Sequence, residues 1–156
     1  MKVAVIGAGI FGITTALELS KNFEVDLFEQ YDDILKSTSG INQFRVHRGY
    51  HYPRAPNTVK SVLQSESSFL REYKDAIIND VNHYYCISGR DSLTSSSQYL
   101  DFLKKFNLEF MVTDLKLLDK TSIDLCVKVK ESIWDPIKLK TICEKKIQNS
   151  NINLQL

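Results

Sequence analysis

The chain has 156 residues, 43% hydrophobic and 25% charged, with 20 Lys and Arg against 19 Asp and Glu for a formal net charge of +1. This is the composition of about one globular domain, long enough to bury a core without metal or disulfide staples. It excludes a nucleic-acid binder held by bulk charge and an acidic tail; six Gly and three Pro exclude a fibrous or low-complexity chain. No apolar run reaches the roughly 18 residues of a membrane span. The best candidate, residues 3–13, is interrupted by glycines, and Glu18, Glu24 and Asp26 follow it with no small-residue cleavage site, which argues against a secretory signal. Cys86, Cys126 and Cys143 are widely spaced and form no C-x-x-C pair, so they read as reduced, mostly buried thiols of a cytoplasmic protein.

The first thirty residues carry the strongest signal. Lys2-Val3-Ala4-Val5-Ile6 is a β-branched run that reads as a strand buried on both faces, as in a parallel sheet. Gly7-Ala8-Gly9-Ile10-Phe11-Gly12 follows, a G-x-G-x-x-G, and then a helix over residues 13–21, with Ile10, Ile13 and Leu17 at helical spacing and Asn22 as a left-handed terminator. Val25-Asp26-Leu27-Phe28 is a second strand ending in Glu29. Gly7 permits the turn out of the strand, Gly9 lets a pyrophosphate approach the backbone, and Gly12, with Ala16 a turn later, lets the helix press on the sheet. A diphosphate there meets the N–H groups of Ile10 and Phe11 and the positive end of the helix dipole. Glu29 stands about 20 residues further on, where an acid bonds adenosine ribose hydroxyls; an acid rather than a base argues against a 2′-phosphate, hence against NADP.

Downstream, residues 31–39 are loop-like, and Ser37-Thr38-Ser39-Gly40 is placed to cap a short helix beginning near Ile41. The spacing predicts an amphipathic helix over 58–77, with Val59, Val62, Leu63, Phe69, Leu70, Tyr73 and Ile77 on one stripe. Strands are expected at 83–87, 109–112 and 125–129, and a helix at 98–106 capped from a serine-rich loop over 92–97. Asp135-Pro136 starts a helix whose buried face is Ile137, Ile142, Cys143 and Ile147. Ile152, Leu154 and Leu156 alternate as in a strand, and ending on that strand reads as the N-terminal part of a longer protein.

Together with residues 45–54, the N-terminus resembles the FAD-dependent oxidoreductases of the D-amino-acid oxidase family. Three segments carry the likeness: residues 3–29, the FAD-binding βαβ unit, departing in Asn22 where Gly is usual; Ser39-Gly40-x-Asn42-Gln43-x-Arg45-x-His47-x-Gly49-Tyr50-His51-Tyr52-Pro53-Arg54, the segment passing the flavin; and residues 129–156, the return to the FAD domain. The resemblance implies an α/β, three-layer Rossmann-like FAD-binding fold with the start of an inserted α+β substrate domain. It divides the chain into 1–36 with 136–156 for FAD and 37–135 for the flavin-proximal segment and a partial substrate or cap domain. FAD is the implied cofactor, held by Gly7, Gly9, Ile10, Phe11, Gly12, Glu29 and Gln30, with Ser39, Asn42 and Arg45 toward the flavin and His47 and His51 as catalytic candidates. Members are typically more than twice this length, so the chain alone is expected to be inactive.

The implied activity is hydride transfer from an amine or hydroxy small molecule to flavin. A flavin-dependent sugar-nucleotide mutase and a non-catalytic nucleotide-binding module complete at this length are the alternatives. No nucleic acid or membrane span is expected, and oligomerisation is left open. His47 and His51 have the four-residue spacing of a zinc pair, but Gly49 and Pro53 argue against a helix there, so no metal is assigned. If extended, the stretch puts Arg45, His47 and Gly49 on one face and Arg48, Tyr50 and Tyr52 on the other. His83 reads as a packed core histidine, Cys86 as a buried structural thiol and the 92–97 serines as a mobile loop.

Overall fold

The computed structural model describes residues 1–119 and 121–156. In chain order the elements are β1 (Lys2–Ile6), α1 (Ile10–Leu19), β2 (Glu24–Phe28), α2 (Pro56–Glu72), a 3-10 turn (Lys74–Ala76), β3 (Ile77–Ile78), β4 (His83–Ser88), α3 (Ser96–Lys105), β5 (Phe110–Val112), β6 (Ile123–Val129), β7 (Ile133–Trp134), α4 (Pro136–Gln148) and β8 (Ile152–Gln155). They fall into two compact units, Met1–Phe44 with Trp134–Leu156, and Arg45–Ile133.

The first unit is a parallel sheet in the order β1-β2-β8, with Val3 beside Val25 and Leu27 beside Leu154. α1 packs on β1 and β2, α4 packs on β8, and the two helices pack on each other. Val25, Leu27, Ile13, Ala16 and Cys143 are wholly buried in that layer. On the other face of the sheet Ala4, Ile6, Glu24 and Phe28 are exposed. β1 is therefore not buried on both faces. It is an edge strand with helices over one side, and Val3 and Val5 are half-buried there.

α1 starts at Ile10, with Gly9 in extended conformation as its N-cap. Asn22 is not left-handed. The amides of Ser20, Lys21, Asn22 and Phe23 instead bond the carbonyls of Ala16, Glu18 and Leu19, closing a right-handed turn into β2. No helix forms at Ile41. Gly40 N–H bonds the Ser37 carbonyl, and the Asn42 side-chain amide bonds the Thr38 carbonyl at 2.8 Å, local bonds that compete with helix propagation. Asp135 caps α4 by accepting from the amides of Ile137 (2.9 Å) and Lys138 (3.1 Å), and Pro136 sits in the first turn. The buried stripe of α4 is Leu139, Cys143 and Ile147, four residues apart. Ile137, off that stripe, is 77% exposed, and Ile142 is half-buried.

The second unit is an antiparallel sheet in the order β4-β6-β5. Leu125, Val127 and Val129 of β6 alternate onto its core face, joined by Tyr85 and Ile87 of β4, and pack with Tyr50, Val59, Tyr99, Phe102 and Leu103. Burying one such side chain contributes roughly 1.5–3 kcal/mol, so this cluster holds the unit together. α2 ends at Glu72 rather than Ile77, because Tyr73 leaves helical geometry and, with Ala76, is anchored in the core. On α2 only Val59 is fully buried. α3 begins at Ser96, and the serine run ahead of it is a capping device: Gln98 N–H donates to Ser95 Oγ (3.2 Å) and Ser95 N–H to Gln98 Oε1 (2.9 Å). Cys86 is exposed, contrary to its reading as a buried thiol, because strand alternation groups it with Tyr84 and Ser88 on the face turned away from the core.

Candidate functional site

In the first unit the turn from β1 into α1 builds a cleft. Gly7 has φ +95°, the left-handed region that favours glycine. A side chain on Gly12 would lie 1.8 Å from the Gly7 carbonyl oxygen, so the first turn of α1 is pressed directly onto that turn. A Cβ on Gly9 would come within 3.3 Å of Ser39 Oγ, the same hydroxyl that accepts from Ile10 N–H at 3.0 Å. The amides of Phe11 and Gly12, at the start of the helix, have no intrahelical acceptor by helix geometry.

Glu29, at the end of β2, fastens the turn. Its Oε2 accepts from Ala8 N–H (2.7 Å), and its Oε1 accepts from the amides of Gln30 (2.8 Å) and Tyr31 (3.1 Å). Desolvation raises its carboxyl, and the bonds from Ala8, Tyr31 and Gln30 outweigh that, leaving it below the usual carboxylate range. The resulting cleft of about 640 Å³ brings together Gly7, Gly9, Ile10, Phe11, Gly12, Glu29, Gln30 and Ser39. That volume lies within the roughly 300–1,000 Å³ of small-molecule sites. Asn42 does not line it; its amide ties the loop through Thr38 and its Oδ1 accepts from Phe44 N–H.

Arg45, His47 and His51 belong to the second unit, and the first two stand beside a residue that the motif reading passed over. Glu131 lies just beyond β6 with its side chain wholly buried. Tyr85 Oη donates to its Oε2 (2.8 Å), and the Arg48 amide donates to its Oε1 (3.2 Å). Its oxygens also stand 3.6 Å from Arg45 Nη1, 3.8 Å from His47 Nδ1 and 3.4 Å from His83 Nδ1. Arg45 Nη1 donates in turn to Tyr85 Oη at 2.7 Å. Burial pushes the Glu131 carboxyl up, but His47, Tyr85, the Arg48 amide and Arg45 together bring it down to about 2. Burial and the same carboxylate push Tyr85 well above its ordinary value, so it stays a neutral donor.

Arg45 and His47 thus share one polar centre. The extended-face grouping fails on the other side: Tyr50 is core, bonded through Oη to the Glu109 carbonyl (2.7 Å), while Arg48 Nε stands 2.7 Å from Glu66. Gly49 has φ +96°, and a Cβ there would lie 2.7 Å from Val59 Cγ1, so the chain turns at that point. His51 is exposed and meets the Tyr52 ring edge-on at 5.5 Å. His83 contacts the carboxylate rather than an apolar core. Glu131 has no motif of its own; the available signal was the crowding of Arg and His at 45–51, which requires a counter-charge if the segment is to pack.

A parallel strand, a glycine turn without side chains, an opened helix terminus and an acid at the end of the next strand define a dinucleotide-binding unit. The chain belongs to the FAD dependent oxidoreductase (DAO) family, whose model matches residues 2–128. It is 35% identical over 112 residues to the FAD-dependent monooxygenase FPY4 of Fusarium mangiferae, covering 69% of this chain and 30% of that protein. It is 33% identical over 102 residues to the FAD-dependent monooxygenase kojA of Aspergillus flavus, covering 65% of this chain and 24% of that protein. Among solved structures it superposes on FAD-bound L-alpha-glycerophosphate oxidase from Mycoplasma pneumoniae with a TM-score of 0.73 and 19% identity, over 98% of this chain and 44% of the other. The chain therefore spans less than half the length of the proteins it matches. FAD is the cofactor of the family, and the cleft fits its ADP portion: Gly7 and Gly9 leave the turn without side chains, Gly12 brings the helix start against it, two helix-terminal amides lack internal acceptors and a fixed carboxylate stands opposite.

Proposed function

We propose that the protein of which this chain forms part is an FAD-dependent oxidoreductase that takes a hydride from the carbon bearing the amino or hydroxyl group of a small substrate. The observation that carries this reading is the Gly7–Gly12 turn clamped by Glu29, in a chain of this family. Gly7, Gly9 and the amides of Phe11 and Gly12 would face the diphosphate, with Gln30 beside them, while the Ile10 amide is held by Ser39 Oγ. Three backbone donors already occupy Glu29, and a carboxylate has about four acceptor positions, so one remains for a ribose hydroxyl. Bound FAD supplies hydride acceptance; the chain's residues orient, exclude water and hold protons.

Residues 37–135 begin the substrate-facing domain in this reading. Arg45 and Asn42 lie on the path toward the flavin, and His47 and His51 act as hydrogen-bond donors or as the base. His47 suits that role because one side of its ring faces the Glu131 carboxylate while the side chain remains 39% exposed. A cytoplasmic setting accords with three free cysteines, and among the described residues no helix is long and apolar enough to cross a membrane.

The test is anaerobic mixing of the full-length protein with panels of amines, amino acids and hydroxy compounds. Bleaching of the oxidised-flavin absorbance by one class identifies the donor. His47→Ala is expected to slow that bleaching by about 10²–10⁴-fold, the range of a lost acid–base group, with flavin content unchanged. A flavin-loaded protein that no donor reduces would overturn the hydride-transfer reading.

A further inference from the structure

Cys86 and Cys126 are opposite each other in the register of β4 and β6. Their pairing class follows from the third strand. Thr113, just past β5, donates its N–H to the Cys126 carbonyl at 3.0 Å. In an antiparallel sheet the N–H and C=O of one residue point to the same side, so Cys126 directs both toward β5 and neither toward β4. Cys86 and Cys126 are therefore a non-hydrogen-bonded pair, whose Cα atoms lie about 4.5 Å apart with the side chains drawn together. A disulfide accepts Cα separations of roughly 4.4–6.8 Å.

Both side chains stand on the same face of the sheet, since Tyr85 and Val127, paired on the next rung, point to the core. Cys86 is exposed, whereas Cys126 is 7% exposed. Burial, joined by hydrogen bonding with Cys86, pushes the Cys126 thiol up to about 11. Cys143 is buried in the other unit, on the inner face of α4, and has no such partner in register.

We infer that Cys86 and Cys126 are a modification site: an oxidisable dithiol that closes to a cross-strand disulfide with hydrogen peroxide as oxidant. The Cys86 thiolate attacks the O–O bond, giving a Cys86 sulfenic acid and one water. The Cys126 sulfur then attacks the Cys86 sulfur, forming the S–S bond and releasing the second water. Two thiols lose two electrons and two protons, and the peroxide is reduced to two waters. Exposed Cys86 is the entry point and shielded Cys126 the resolving thiol, a division set by their burial. A small dithiol reverses the bond by exchange. This inference stands apart from the proposed catalytic reading, since it uses neither the glycine cleft nor the Glu131 cluster.

The experiment treats folded, reduced full-length protein with stoichiometric hydrogen peroxide, alkylates remaining thiols under denaturation, and maps tryptic peptides. The expected result is peptide 75–90 joined to peptide 121–128, at the sum of their masses less two hydrogens, with Cys143 alkylated. Dithiothreitol should restore both thiols. In Cys126→Ser the peroxide should instead leave a Cys86 sulfenic acid that dimedone traps. Alkylation of both cysteines after peroxide would overturn the inference. So would Cys86 recovered as sulfinic acid or bonded to a second molecule in the unmodified sequence.

Discussion

Glu131 does for residues 45–48 what a strand ladder does elsewhere. That segment has almost no regular backbone pairing, and one buried carboxylate gathers the Arg48 amide, Arg45, His47 and, across the sheet, His83 and Tyr85. Removing one partner of a buried charge network costs about 3–5 kcal/mol. Arg45 and His47 reach water, so roughly 2–4 kcal/mol is expected for Glu131→Ala in urea unfolding. The same group sets an acid limit. Its folded value of about 2 lies below the ordinary 4.5, so its stabilisation is complete above pH 4.5 and is lost as pH falls toward 2. That shift corresponds to on the order of 3 kcal/mol. Stability measured across this window should fall steeply with acid in the native sequence and flatten in Glu131→Gln; equal slopes would contradict the assignment. Glu29 was legible because its place is fixed by distance from a glycine motif. Glu131 was not, because its partners come from residues far away in sequence and only the fold collects them.

At the scale of elements, the βαβ unit shows how far a local pattern reaches. The two strands and the helix between them were legible from β-branched runs, glycine spacing and the acid that follows, although the helix begins at Ile10, three residues before the expected position. So was the Asp135-Pro136 start of α4, since a cap is a bond between neighbours. Three features escaped. α2 stops at Glu72 because Tyr73 and Ala76 are drawn into the core, a tertiary demand that overrides the helical stripe. The loop before Asn42 takes side-chain bonds in place of a helix. Ile137 looked apolar enough to be buried, but lies off the stripe set by Leu139, Cys143 and Ile147. The contact of α1 with the turn gives a sharp test. Gly12→Ala places a methyl against the Gly7 carbonyl, where backbone cannot yield cheaply. Overpacking of this kind costs roughly 1–3 kcal/mol or more, and the variant should unfold at lower denaturant and lose nucleotide binding together. Unchanged stability would mean that the helix does not press on that turn.

At the scale of the molecule, two units carry two kinds of chemistry: a backbone cradle with its acid in Met1–Phe44, and a carboxylate-centred Arg–His–Tyr cluster in Arg45–Ile133. The fold class was legible because the parallel sheet's first strands are written as short apolar runs with a glycine motif between them and its last strand as an apolar–polar alternation. The inserted unit was legible as an excursion too long to be a loop, with its strands near 83–87, 109–112 and 125–129 and its helices near 58–77 and 98–106. Its strand order, β4-β6-β5, depends on long-range pairing that no local spacing encodes. The measurement that bears most directly on the central claim is FAD affinity in the full-length protein, native against Glu29→Ala and Glu29→Gln. Loss of a hydrogen bond to a charged group costs about 1.5–3 kcal/mol, so the native protein should retain FAD and Glu29→Ala should bind it about ten- to a hundredfold more weakly. Glu29→Gln, keeping the shape, should fall between. A native protein that binds no FAD, or a folded Glu29→Ala with unchanged affinity, would contradict the account.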